Sequence, residues 1–390
     1  MDFTRRGLLL GAAALATAAA SAPDEDVVGQ PLRPWRRGGL DIHHIATGKG
    51  DSTLIIGPDG ASLMIDAGAS STPTPASLEI RPSAGRRPGE WIGRYARRHL
   101  AATGKAKLDA FLVSHLHPDH IDGLYDVSAM LPIGVLVDRG YPDYAYPRPL
   151  DAPFARAYQT FVRERVHAGR RVERFRVGAA DQLVLPGAEV RNLAANGEVW
   201  TGRGTETRRL FPAIDVLPNA DIPDENACSA AIRLRYGDFG YFAGGDLTSD
   251  SFDGALPWRD VETLAAQAAG PVDVAVAAHH GMYDATGAGV VRALRPRAWI
   301  IPAWHVAHPS PDVLARMLNT RLYPGPRDVF ATGLSPANEL AHKWLTDRLA
   351  AREGHVIVRV APGGGSYRVV ITDNREEADQ VLSIRGPWAA

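Results

Sequence analysis

Residues 114–120 read Ser-His-Leu-His-Pro-Asp-His, directly after the apolar run KLDAFLV at 107–113. Four side chains of metal-ligand type, His115, His117, Asp119 and His120, fall within six residues. The run before them has the length and pattern of a buried strand. Residues two apart on an extended segment point the same way, so His115 and His117 are placed to grip one ion together. Pro118 suits the first position of a helix, and a turn there presents Asp119 and His120 to a second ion beside the first. Imidazole and carboxylate are ligands that Zn²⁺ and similar ions accept. A histidine-rich surface loop is the competing reading, but four ligand types in this order at a strand end argue against it. A fold that buries the strand must leave its C-terminal end open to a polar site.

The other segments fit an α/β chain. LDIHHIA and STLIIG read as strands joined by the turn GKGD, and ASLMIDAG reads as a third strand closing at Asp66. GEWIGRYARRHLAAT, 89–103, has helical spacing, with Trp91, Tyr95 and Leu100 near one face. ACSAAIRLRYG, FGYFAGGDL, VDVAVAAHHG and RAWIIPAWHVAH are strands that end in polar clusters, and HPSPDVLARMLN opens a helix. The stretch 140–215 is less regular, with a helix at 152–168 and short strands such as QLVLPG and AEVRNLA, and reads as an insertion or cap over one end of the domain. Residues 23–39, rich in Pro, Arg and Gly, read as a linker, and 375–390 as a C-terminal tail. The expectation is one domain over 40–374.

At 390 residues, with 45% apolar and 22% charged side chains, the chain can bury a large core. Its net charge of −1 gives no global field toward nucleic acid or anionic lipid. The single cysteine, Cys228, rules out an internal disulfide framework and any multi-cysteine metal site. Asp2 to Ala22 combine the pair Arg5–Arg6, an apolar run and small residues suited to cleavage near Ala20 or Ala22. This is the layout of a twin-arginine export signal, giving a periplasmic or secreted protein. The apolar run is about 14 residues, short of the roughly 20 that span a bilayer, and no later segment is apolar enough to do so.

The HxHxDH pattern after a buried strand resembles the signature of the metallo-β-lactamase superfamily. LDIHHIATGKGDSTLIIGPDGASLMIDAG resembles the opening of one of its subgroups. That subgroup includes the hydrolase domain of bacterial DNA-uptake channel proteins and the choline-phosphate esterases of choline-binding surface proteins. ENACSAAIRLRYGDFGYFAGGDL, AAHHG and HPSPDVL are similar to later elements of the same subgroup. The resemblance runs from about Leu40 to about Thr372 and is weak across 140–215.

The resemblance implies an αββα sandwich, two mixed β-sheets packed face to face with helices outside. It implies two divalent ions, Zn²⁺ first and Mn²⁺ as the other choice, held by His115, His117, Asp119, His120, Asp246, His279 and His280. Asp246 would bridge the ions, the alternative being a turn aspartate. One of His279 and His280 would complete a metal shell, and the other would contact substrate or hold a ligand in place; which does which is open. Catalytic roles fall to Asp119, His280 and His308. For His308 and His305, packing beside the following helix is as good a reading as a direct role. Asp66 is expected to accept a hydrogen bond from a ligand imidazole. Asn226 would donate to a substrate oxygen or serve a turn.

Many superfamily members have a further histidine ligand between HxHxDH and the bridging aspartate. Here the only histidine there is His167, in the arginine-rich FVRERVHAGRR, which reads as a solvated helix. That departure points away from a typical β-lactamase or glyoxalase-type hydrolase. The implied chemistry is hydrolysis by a two-metal-activated hydroxide, of a phosphodiester or related phosphoester. An acyl hydrolase opening a lactam, lactone or thioester, and a binding module that keeps the fold without turnover, are the alternatives. No oligomeric state follows from the sequence.

Overall fold

The computed structural model describes residues 25–390; the export signal expected at 1–22 lies outside them. Strands in chain order are β1 (Leu40–His44), β2 (Thr53–Ile56), β3 (Ser62–Ile65), β4 (Leu108–Val113), β5 (Ile133–Asp138), β6 (Arg171–Arg174), β7 (Glu189–Ala195), β8 (Glu198–Trp200) and β9 (Thr207–Arg209). The second half adds β10 (Ala231–Tyr236), β11 (Phe239–Ala243), β12 (Val274–Val276), β13 (Ala298–Ile301), β14 (Asp328–Ala331), β15 (His355–Val360), β16 (Ser366–Thr372) and β17 (Val381–Ala389). They form a nine-stranded sheet, β17-β16-β15-β1-β2-β3-β4-β5-β6, and an eight-stranded sheet, β14-β13-β12-β11-β10-β7-β8-β9. Both sheets are mixed: β3 to β6 and β11 to β14 pair in parallel, and the other neighbours antiparallel.

The period-two alternation of the strands builds the layers. Leu63 and Ile65 of β3 and Leu112 of β4 point inward and meet Ile232, Tyr241 and Ile300 of the other sheet. Met64 and Phe111 point outward onto Ile92, Tyr95, Leu124 and Tyr158, from the helices Pro88–Leu100, Leu124–Met130 and Pro153–His167. Phe242 and Trp299 likewise meet Val261, Val291 and Leu314, from Val261–Ala269, Ala288–Leu294 and Pro311–Met317. The architecture is therefore an αββα sandwich. Among the described residues no helix is long and apolar enough to cross a membrane.

Three boundaries differ from the sequence reading. The 140–215 stretch is not a cap: β6 extends the first sheet, and β7 to β9 are part of the second. The expected tail is β17, paired with β16 at the sheet edge. The expected linker is packed: Leu32 and Trp35 are buried, and Asp26 pairs with Arg359 at 2.7 Å. The two termini also meet, Leu32 N–H donating to the Asp379 carbonyl and Val381 N–H to the Gln30 carbonyl. β6, β8 and β9 are too short to show alternation, and an ion pair spanning hundreds of residues leaves no local signal to read.

Candidate metal centre

The polar residues collect where β3, β4, β11 and β12 end. β4 delivers Ser114 and His115, and the chain turns at His117, which precedes the short helix Pro118–Ile121. From that turn Asp119 and the fully buried His120 face back across the strand ends. The turn between β1 and β2 lies against it: Asp51 N–H donates to the Asp119 carbonyl at 2.9 Å. Gly50 has φ +136°, and a Cβ there would stand 2.2 Å from the Asp119 carbonyl oxygen, so only glycine permits this approach. Asp66, after β3, accepts from Ser114 N–H at 2.7 Å and Ser114 Oγ at 2.6 Å, and its other contact is His120 Nδ1 at 2.8 Å. A carboxylate on the far nitrogen of an imidazole fixes the ring and its tautomer.

Asp246 occupies the middle. It follows β11, and its N–H donates to Ser229 Oγ at 3.1 Å. One carboxylate oxygen lies 3.2 Å from His120 Nε2; the other lies 3.7 Å from His115 Nε2, 3.3 Å from His280 Nε2 and 4.0 Å from His279 Nε2. His115 Nε2 is itself 3.1 Å from His117 Nδ1. His280 Nε2 is 3.0 Å from Asp119, and His280 Nδ1 is 2.8 Å from Asp51. His279 and His280 both adopt left-handed backbone, at φ 47° and 54°. Such strain on side chains other than glycine is held in place by surrounding structure and concentrates at functional sites.

Asp51, His120, Asp246 and His280 each offer a donor atom, all within 4.8 Å of one another. His115, His117 and Asp119 adjoin that group through the contacts above. His120 Nε2 and Asp246 Oδ1 are buried and stand 3.2 Å apart as an ion pair, and neither makes a hydrogen bond of good geometry among the described residues. Buried polar atoms left without a hydrogen bond are costly unless something binds between them.

The electrostatics agree. Burial alone would keep His120 and His280 neutral, yet Asp246 and the neighbouring carboxylates outweigh it and hold both imidazoles well above their usual range. Burial opposes the charge on Asp246 and Asp119 too, but the histidines keep both carboxyls well below the usual carboxylate range. Asp51, with burial dominant, is raised. Burial and then His120 hold His115 well below the usual imidazole range. A field that draws protons onto buried imidazoles also favours a divalent cation in their place. The residues fit metal ions.

The remaining candidates are placed as follows. Asn226 Nδ2 is 3.1 Å from His279 Nε2, and Asp284 takes the opposite ring nitrogen at 2.8 Å. His308 is buried and stacks on His280, with ring centroids 4.8 Å apart; its Nδ1 has no partner among the described residues. His305 is half-buried, and its Nδ1 accepts from Ala307 N–H at 3.3 Å. His167 is exposed at the end of its helix and lines a cavity with Tyr141, Tyr144 and Gln159, outside the metal group. Sequence reasoning passed over Asp51, Asp284 and Glu225. Asp51 was visible only as the last residue of a turn, and nothing local marked the other two.

No family model matches the chain, and no curated protein matches it. Several solved structures are similar to it at low identity. CmlA, a diiron β-hydroxylase from Streptomyces venezuelae, aligns at 13% identity over 84% of this chain and 55% of its own, with a TM-score of 0.41; this chain thus spans about half its length. YhfI from Bacillus subtilis, described as a metallo-β-lactamase fold protein, aligns at 12% over 84% and 97%, with a TM-score of 0.36. Yeast PDE1 aligns at 11% over 81% and 98%, with a TM-score of 0.40.

Proposed function

We propose that the chain is a metal-dependent hydrolase, acting on a phosphodiester or related phosphoester. The observation that carries this reading is Asp246, whose two oxygens face different histidines. A carboxylate so placed can hold two cations at the short separation of about 3.5–4 Å used by two-metal hydrolases. His115, His117, His120 and His280, with Asp246 among them, would hold the ions. Zn²⁺ suits this nitrogen-rich set, and Mn²⁺ suits its carboxylates. Divalent ions there would acidify water toward neutral pH and polarise the ester oxygen under attack.

The side chains supply the rest. Asp66 fixes the ring of His120, Asp51 that of His280, and Asp284 that of His279. Asp119, less enclosed than Asp246, is the carboxylate placed to orient the attacking water. Asn226, beside His279, is a donor for a substrate oxygen. Proton exchange with the leaving group is assigned to His308, which stacks on His280 beside the metal group. Export through the leader at 1–22 belongs to the same proposal and is supported by sequence alone.

The test is turnover of bis(p-nitrophenyl) phosphate by the purified chain after reconstitution with zinc or manganese. Release of p-nitrophenolate that stops on chelation supports the reading. A reconstituted protein inert on phosphodiesters but active on a lactone or thioester would move the assignment to acyl hydrolysis.

A further inference from the structure

Behind the metal ligands lies a buried ion pair that the hydrolytic chemistry does not use. Arg139, directly after β5, is 1% exposed, and Glu225 is 8% exposed. Arg139 Nε donates to Glu225 Oε1 at 2.6 Å, and Nη2 donates to Oε2. The same Oε1 accepts Leu116 N–H at 2.8 Å. Leu116 is the residue between His115 and His117. Arg139 Nη1 donates to Asn196 Oδ1 at 3.2 Å and to the Tyr146 carbonyl at 3.0 Å. Asn196 Nδ2 donates back to the Arg139 carbonyl at 2.7 Å, and Asn196 N–H to the Cys228 carbonyl at 3.2 Å.

One guanidinium and its carboxylate therefore tie together five pieces of chain: the end of β5 in one sheet, the loop at Tyr146, the β7–β8 turn in the other sheet, the turn at 225–228 and, through Glu225, the His115–His117 loop. Asn226, next to Glu225, faces His279. The network reaches the metal group from both sides of the sandwich without contributing a ligand.

A buried ion pair is a poor way to gain stability. Desolvating both charges is costly, and well-packed apolar replacements are often as stable or more so. What such a pair supplies here is a fixed position for a backbone amide. We propose that Glu225, with Arg139 as the counter-charge that lets its carboxylate be buried, is a positioning residue that holds the His115–His117 loop, through Leu116 N–H, in its metal-binding conformation. The inference rests on the proposed function, since it presumes that the loop binds metal.

The test compares zinc affinity, by competition with a chromogenic chelator, with melting temperature and hydrogen exchange at Leu116. In Arg139→Met/Glu225→Met the pair and the acceptor are both gone. This variant should melt within a few degrees of wild type, exchange the Leu116 amide faster and hold zinc about tenfold or more weaker. Arg139→Met/Glu225→Gln restores a neutral oxygen for Leu116 and should recover most of the zinc affinity. Wild-type zinc affinity in the methionine pair overturns the inference. So does a loss of about tenfold in the glutamine variant, which also decides the matter if the methionine pair does not fold. Failure of the proposed function has a different signature: the wild-type chain itself would take up no zinc.

Discussion

Asp51 and His280 lie 229 residues apart in sequence, and their side chains meet at 2.8 Å, Asp51 Oδ1 against His280 Nδ1. The opposite nitrogen of the same ring faces Asp119 and Asp246. Asp51 is thus placed to aim the His280 ring at the other carboxylates of the group.

Asp51→Ala should lower kcat/KM by about 10–100-fold and weaken retention of one ion, as loss of a group that orients a metal-binding imidazole does. Kinetics on a phosphodiester with parallel elemental analysis check it. Wild-type turnover with full metal content would reduce Asp51 to a turn residue.

Asp246→Ala should abolish turnover and reduce bound metal from the proposed two equivalents to one or none, while circular dichroism keeps its native shape. Without the shared carboxylate, two cations would repel across a gap of about 4 Å with nothing between them. Elemental analysis after reconstitution is the measurement. Two tightly held ions in this variant would remove Asp246 from the bridging position.

Glu262 gives a pH-dependent prediction away from the metal group. It is fully buried, accepts Thr286 N–H at 2.7 Å, and leaves its other oxygen unpartnered among the described residues. Burial pushes its carboxyl from 4.5 up to about 8. Between those values the unfolded chain has released the proton and the folded one has kept it. Stability therefore falls as pH rises through this window, and the full penalty remains above about 8. Glu262→Gln keeps an oxygen for Thr286 and cannot ionise. Its melting temperature should match wild type near pH 4 and exceed it by several degrees at pH 8. Equal melting temperatures across the range would mean that Glu262 ionises normally in the folded chain.

How much of this was legible follows from the range of each signal. The inward and outward faces of β3 and β4 are written in single-residue alternation, and His115 to His120 occupy one short segment. Asp246 and the His279–His280 pair were legible because each ends an apolar strand. Asp51 was not, because a turn aspartate is locally ordinary and only folding brings it to His280. Arg139 and Glu225 were hidden for the same reason: their partner is each other, 86 residues away. β17 was read as a tail because Gly386 and Pro387 interrupt its pattern. Its edge position, paired on β16 along one side, tolerates them.

The last prediction sets His167 against His279 and His280. Order along the chain alone would offer His167 as the histidine between HxHxDH and Asp246. The structure leaves it exposed at the end of the helix Pro153–His167, beside Arg163 and Val166. Among the described residues no carboxylate pairs with it, and the arginines of that helix disfavour a metal cation there. His279 and His280 follow β12 in strained backbone, each with a carboxylate on one ring nitrogen, Asp284 and Asp51 respectively, and with Asp246 within 4.0 Å of the other. His167→Ala should therefore leave turnover within about threefold of wild type, the range of an ordinary surface substitution. His279→Ala and His280→Ala should each lower kcat/KM by about 100-fold or more, a loss of roughly 2.7 kcal/mol of transition-state stabilisation. The two losses should differ in kind. His280→Ala removes a member of the group whose donors converge within 4.8 Å, so its metal content should fall with its activity. His279 lies outside that group and touches Asn226, so His279→Ala should keep more metal and show its loss largely in substrate binding and turnover. Side-by-side kinetics and elemental analysis of the three variants separate these outcomes, and a dead His167→Ala beside two active partners would overturn the placement of the site.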